Sequence, residues 1–343
     1  MSRISLLVPI VLGLSSLPQP PRASGAGQEA TKPIRAGIIG LDTSHVVAFA
    51  KMLNDPKSKG ELAGVRVVAA FPGGSPDIPS SRDRVEGYTK QLRDQFGVEI
   101  VDSIDALLGQ VDVVLLESVD GRPHLKQIEP VLKAKKPVFI DKPVAGTLAD
   151  AVRIFQLAEQ YGTPCFSSSS LRYSPSIVGL KTDPKVGEVL GCDVYSPCSL
   201  EEHHPDLFWY GVHGVESLFT VMGTGCVSVS RTQTADTELV AGVWEGGRVG
   251  TFRGIRKGKA DYGALAFGSK GIVIAQGYGG YEPLLVEICK FFRSGKPPVS
   301  AGETLEIFAF MEAADESKRK GGAPVTLESV MTKAREQAGA SSK

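Results

Sequence analysis

The sequence predicts an α/β chain: an amino-terminal parallel sheet with helices on both faces, then an α/β domain on a large, mostly antiparallel open sheet. Three observations point there. Through the first half, short apolar runs alternate with amphipathic helical stretches. The second half carries strand-like segments separated by Gly-rich turns. The length of 343 residues, 42% hydrophobic and 22% charged, suits two domains and excludes wholesale disorder.

The elements follow in order. Ile34–Gly40 is a short apolar run ending in Gly, as a buried parallel strand is. Asp42-Thr43-Ser44 supplies capping side chains ahead of an apolar-rich helix, His45–Leu53. Val65–Phe71 is a second strand, broken by Pro72-Gly73-Gly74, and Ser81–Phe96 reads as a charged helix. Val98–Val101 and Val111–Leu116 are strands, His124–Ala134 a helix and Pro137–Ile140 a strand ending at Asp141-Lys142-Pro143. The helix Thr147–Tyr161 precedes the strand Pro164–Phe166. In the second half Val186–Tyr195, Cys226–Thr232, Glu238–Trp244, Arg248–Arg253, Ala264–Gly268 and Gly271–Ala275 read as strands. His213–Met222, Tyr281–Arg293 and Thr304–Lys318 read as helices, and Gln337–Lys343 as a small polar end that frays. The expected organisation is a leader over 1–26, a linker over 27–33, domains over 34–166 and 167–330, and a tail over 331–343.

Met1–Gln19 has one Arg and an apolar run from Ile4 to Leu14, and small residues follow at Ser24-Gly25-Ala26. That run is too short to span a bilayer, and it fits a secretory signal core without a twin arginine or a lipobox cysteine. Cleavage after Ala26 removes Arg3 and Arg22, giving an exported chain of net charge −2 with no further membrane-length segment. The expected location is periplasmic or extracellular. Lys plus Arg and Asp plus Glu both number 38, and aromatics are 7%, so there is no electrostatic footprint for nucleic acid. Five unevenly spaced cysteines make neither a disulfide scaffold nor a zinc knuckle.

A Gly-ended first strand, a later strand finishing in Asp141-Lys142-Pro143, then Leu171-Arg172-Tyr173-Ser174-Pro175, Gly211-Val212-His213 and Gly321–Leu327 occur in a distinctive order. From Ile34 to Leu327 the chain resembles the glucose–fructose oxidoreductase/inositol dehydrogenase (Gfo/Idh/MocA) family. The resemblance implies a Rossmann domain, a nicotinamide cofactor (NAD or NADP) and a sugar, polyol or related hydroxyl or keto substrate. It also implies self-association through the second sheet.

Lys142 is the first catalytic candidate, because ligands of an open α/β sheet bind beyond the carboxyl ends of its strands. Asp141-Lys142-Pro143 is similar to the family's Glu-Lys-Pro, whose Lys contacts the substrate hydroxyl and the nicotinamide ribose. An ammonium there polarises an alcohol and assists its deprotonation. His213 is the second candidate, similar to the His of the family's Gly-x-His, and a neutral imidazole can take the alcohol proton. The family's Asp four residues earlier is Trp209 here, which leaves Glu216 to orient the ring. Arg172 and the aromatic Tyr173 match residues that line the family's substrate pocket, and His204 and Tyr210 complete the expected substrate wall.

The dinucleotide fingerprint departs from its pattern. Only its first glycine, Gly40, is kept. Asp42 stands at the second, where its carboxylate repels pyrophosphate or caps the helix itself, and His45 stands at the third. Thr43, Ser44 and a protonated His45 still offer donors to a phosphate. No acid ends the second strand. Phe71 can stack on adenine, and the Gly73-Gly74-Ser75 turn with Arg82 or Arg84 can take a 2′-phosphate, so NAD or NADP stays open. Ser118 and Asp120, in the loop before His124, lie where a nicotinamide ribose is reached, with Asp141, Lys142 and Pro143 beside them; His124 reads as structural.

Glu201-Glu202-His203-His204-Pro205-Asp206 lacks three converging ligands, so no metal is expected there. Two alternatives to simple oxidoreduction remain: glycoside cleavage through transient oxidation, which occurs in the superfamily, and a sugar-binding protein that has lost the dinucleotide.

Overall fold

The computed structural model describes Met1 and residues 32–340, so the expected leader, its cleavage site and the last three residues lie outside the described residues. From Pro33 on, the chain forms one compact unit. The apolar runs of the first half become β1 (Ile34–Ile39), β2 (Val65–Phe71), β3 (Glu99–Ile100), β4 (Val113–Leu116), β5 (Val138–Ile140) and β6 (Cys165–Ser167). Between them run α1 (Ser44–Asn54), α2 (Pro79–Phe96), α3 (Ile104–Leu108), α4 (His124–Lys133) and α5 (Leu148–Tyr161). All six strands are parallel, in the order β3-β2-β1-β4-β5-β6. Strand order reverses between β1 and β4, which opens the crevice where such sheets bind ligands. Gly40 closes β1 at φ +88°, and a Cβ there would lie 2.4 Å from the Ser118 backbone nitrogen, so only glycine fits.

The second half contains α6 (Pro175–Leu180), β7 (Val189–Pro197), α7 (Asp206–Trp209), α8 (Val212–Met222), β8 (Cys226–Gln233), β9 (Thr237–Trp244), β10 (Val249–Ile255), β11 (Gly263–Gly268) and β12 (Ile272–Gln276). It closes with α9 (Glu282–Ser294), α10 (Ala301–Arg319), β13 (Val325–Thr326) and α11 (Leu327–Ala340). The sheet order is β12-β11-β7-β10-β9-β8-β13, antiparallel throughout except for the parallel pair β7 and β10. One face packs on α8 and α10, with Phe252, Trp244 and Phe310 at its centre. The other face carries exposed Leu239, Val243, Val249, Ile272 and Ile274.

Two findings differ from the sequence reading. Helix α9 follows the second sheet in the chain but buries Leu284, Leu285, Ile288, Phe291 and Phe292 against α1 and the first sheet. Of the end expected to fray, Gln337–Ala340 belong to α11, which packs on α5 and α10, and residues 341–343 lie outside the described residues. The buried residues of α11, Leu327, Val330, Ala334 and Ala338, recur at helical spacing, a short stripe that small alanines disguise. The five cysteines are all buried and unpaired. No helix among the described residues is long and apolar enough to cross a membrane.

Candidate active site

A pocket of about 400 Å³ opens where the carboxyl ends of the first sheet's strands meet the start of α8. Lys142, just past β5, lines it from the first sheet, and His213 lines it from the first turn of α8, the helix packed on the second sheet. Gly214 lets α8 press this close, since a Cβ there would lie 2.2 Å from the Phe252 ring on β10. Tyr210, Tyr262, Tyr278 and Tyr281 form much of the remaining wall. Tyr210 and Tyr262 hydroxyls are 3.1 Å apart, and Tyr278 reaches Ser170 Oγ at 3.0 Å. Burial raises the Tyr262 and Tyr278 phenols well above their ordinary range, so they stay protonated.

His213 Nδ1 lies 2.7 Å from Ser169 Oγ, and the edge of Tyr210 meets its ring. Burial and the nearby Lys142 charge lower its pKa well below the ordinary value, so the imidazole is neutral. Glu216 does not orient it. Arg172 Nε donates to Glu216 Oε2 at 2.6 Å and Arg172 Nη1 to Glu303 Oε1 at 2.6 Å. Arg172 and Glu216 are thus a buried ion-pair group behind the pocket, and Tyr173 lines a different crevice with Pro175 and Val178. Of the expected substrate wall only Tyr210 reaches the pocket; His204 is buried behind it against the Trp209 ring.

The crevice above β1 is filled by the chain itself. Asp42 neither caps α1, where Thr43 is the N-cap residue, nor lines the pocket. Its carboxylate accepts from Val119 N at 2.9 Å and from Ser81 Oγ at 2.6 Å, and burial raises its pKa. Ser75 Oγ donates to Asp120 Oδ2 at 2.5 Å, joining the loop after β2 to the loop after β4. Arg122 clamps Asp120 and Asp77 together, and His204 Nε2 reaches Asp120 Oδ1 at 3.1 Å. Although burial opposes ionisation, hydrogen bonds from His204, Arg122 and Ser75 hold the Asp120 carboxyl far below its usual range. Gly73, Gly74 and Ser118 sit within this closure, and Phe71 packs on the core, so none of them lines the pocket. Thr43, Ser44, His45 and Arg84 do line it. Arg82 instead pairs with Asp83 on the surface.

His124 is structural as expected: its two ring nitrogens face Ser118 O at 2.9 Å and Val144 O at 3.2 Å. Glu201 holds both His203 and His204 through their Nδ1 atoms, which uses the ligands of that segment internally. The sequence reading missed Glu117, the residue that ends the β4 run. It lies with His45 and Asp141 in one buried group beneath the pocket. Burial penalises the His45 imidazolium, but the adjacent Asp141 and Glu117 outweigh this and raise it to about 10. A wider apolar crevice of about 950 Å³ between α5 and the start of α10 carries no comparable chemistry.

Residues 34–168 match the family described as an oxidoreductase family with an NAD-binding Rossmann fold, GFO_IDH_MocA. An inositol 2-dehydrogenase from Acidothermus cellulolyticus is 26% identical over 130 residues, 37% of this chain and 35% of that protein. This chain thus matches about a third of that relative's length. The fold superimposes on scyllo-inositol dehydrogenase from Lactobacillus casei, solved with bound NAD(H) and scyllo-inositol, at a TM-score of 0.69 and 17% identity. That match covers 87% of this chain and 100% of the other. The myo-inositol 2-dehydrogenase of Lactobacillus plantarum gives a TM-score of 0.69 at 14% identity over 86% of this chain and 99% of that one. Over its first sheet and the helices around it, the chain is similar to the Gfo/Idh/MocA oxidoreductase family.

Proposed function

We propose that the chain oxidises or reduces a hydroxyl or keto carbon of a polyol, sugar or related compound. The observation that carries this reading is the convergence of Lys142, from a strand end of the first sheet, and a neutral His213, from helix α8 on the second, on one phenol-lined pocket. Its volume, about 400 Å³, lies toward the small end of ligand sites and suits one sugar-sized ring. Aromatic walls with hydroxyl tips pack the apolar faces of such a ring and hydrogen-bond its rim. His213 accepts the alcohol proton, and the Lys142 ammonium stabilises the oxygen as negative charge develops.

A bound NAD or NADP supplies the hydride acceptor. The residues at the nicotinamide end fit it: Thr43 and Ser44 offer donors at the α1 amino terminus, and Lys142 and Arg84 offer positive charge. At the adenosine end, the Ser75–Asp120 and Ser81–Asp42 bonds close the crevice and must part for a whole dinucleotide. That closure favours a second reading, a sugar-binding protein without redox turnover.

The purified chain is to be assayed with NAD⁺ and NADP⁺ against inositols and aldoses. Substrate-dependent formation of reduced nicotinamide is the expected result; sugar binding without it selects the second reading. The pH profile carries a further expectation. His213 is protonated only when pH falls through its depressed pKa, so the acid limb of kcat/KM lies below 6.5. An acid limb at or above 6.5 assigns the base to another group.

A further inference from the structure

We propose that His45, Glu117 and Asp141 form a binding site for a divalent transition-metal ion at the floor of this pocket. The three side chains come from the start of α1 and from the residues just after β4 and β5. The paired strands set Glu117 beside Asp141, because Leu116 and Ile140 are register partners. One ligand atom from each of the three lies within 4.8 Å of the others. His45 Nδ1 is 3.0 Å from Asp141 Oδ2 and 3.6 Å from Glu117 Oε2. Donors bound at about 2.0–2.2 Å around one ion sit at roughly such separations.

The second observation is the lack of any other partner. Glu117 and Asp141 are completely buried, yet all four carboxylate oxygens and His45 Nδ1 are without a hydrogen bond of good geometry. The other buried acids near the pocket are supplied: Asp42 by Val119 and Ser81, Asp120 by Ser75 and Arg122, Glu216 by Arg172. Two neighbouring buried carboxylates that face only the His45 ring, at poor hydrogen-bond geometry, are a costly arrangement unless a cation sits between them. His45 also lines the pocket, so ligand positions left open by three protein groups face the substrate space. An imidazole with two carboxylates favours zinc, manganese, iron or cobalt over magnesium or calcium. The rival occupant of the gap is a proton on His45 alone.

The test needs no turnover, so its failure is separate from failure of the oxidoreductase reading. Chelator-treated full-length protein is titrated with Zn²⁺ by calorimetry and with Co²⁺ by visible absorption. One ion per chain is expected, with cobalt bands of nitrogen and oxygen coordination. Glu117→Gln and His45→Gln should each weaken Zn²⁺ binding by more than about tenfold, the least that even an outer partner's loss costs such sites. Should either variant misfold, the wild-type cobalt spectrum still decides. A wild-type protein that binds neither ion stoichiometrically, or folded variants that bind as tightly as wild type, overturns the site and leaves the proton as its occupant.

Discussion

Replacing Lys142 by methionine lowers turnover by about 10²–10³-fold, the usual loss when a group that stabilises developing charge is removed. Methionine keeps the aliphatic stem that packs in the pocket wall and deletes only the ammonium. The charge acts on the oxygen as its proton leaves, so kcat falls together with kcat/KM while KM changes little. Stability should change by less than about 1 kcal/mol, a melting shift within roughly 4 °C for a chain of this size. Steady-state kinetics and calorimetry on one preparation separate the two effects. Wild-type turnover in this variant removes Lys142 from the chemistry.

The second large effect is structural. Arg231 on β8 is fully enclosed and joins Asp315 on α10, Glu238 on β9 and Asp206 on α7. Its guanidinium ties the second sheet to the helices that carry α8 into position. Arg231→Met leaves Asp315 buried without its cation, which costs about 3–5 kcal/mol, while Glu238 keeps Arg256 and Asp206 keeps Lys318. Burial already pushes Asp315 up to about 7 despite Arg231 beside it. An acid whose folded pKa is raised binds its proton more tightly when folded, so stability falls as pH rises through that range. The variant's deficit is therefore largest near pH 8 and shrinks toward pH 5, read by denaturant melts at both values. A deficit independent of pH assigns the loss to packing alone.

The parallel sheet was legible because β4 and β5 are continuous apolar runs, buried on both faces as parallel strands are. Lys142 and His213 were legible for a related reason: each follows a local signal, a strand end or a helix start, that fixes where it points. Arg172 was misplaced because nothing local announces its partners; Glu303 is 131 residues away, and only the folded chain shows that the guanidinium is already spent. Asp42 carried the opposite lesson. Its position in the fingerprint announced a conflict with phosphate, but its donors, Val119 and Ser81, come from two other loops. Glu117 reads as the polar end of an apolar run, and its meaning emerges only when strand pairing sets it next to Asp141.

Carbon-bound deuterium offers the most direct test of the redox claim. A polyol that supports nicotinamide reduction, deuterated at the reacting carbinol carbon, is incubated with the protein and NAD⁺ or NADP⁺, and the nucleotide is analysed by mass spectrometry. Recovery of one deuterium in the nicotinamide ring, abolished by Lys142→Met, is the predicted result. A polyol that binds at the tyrosine-lined pocket but yields unlabelled nucleotide contradicts the account.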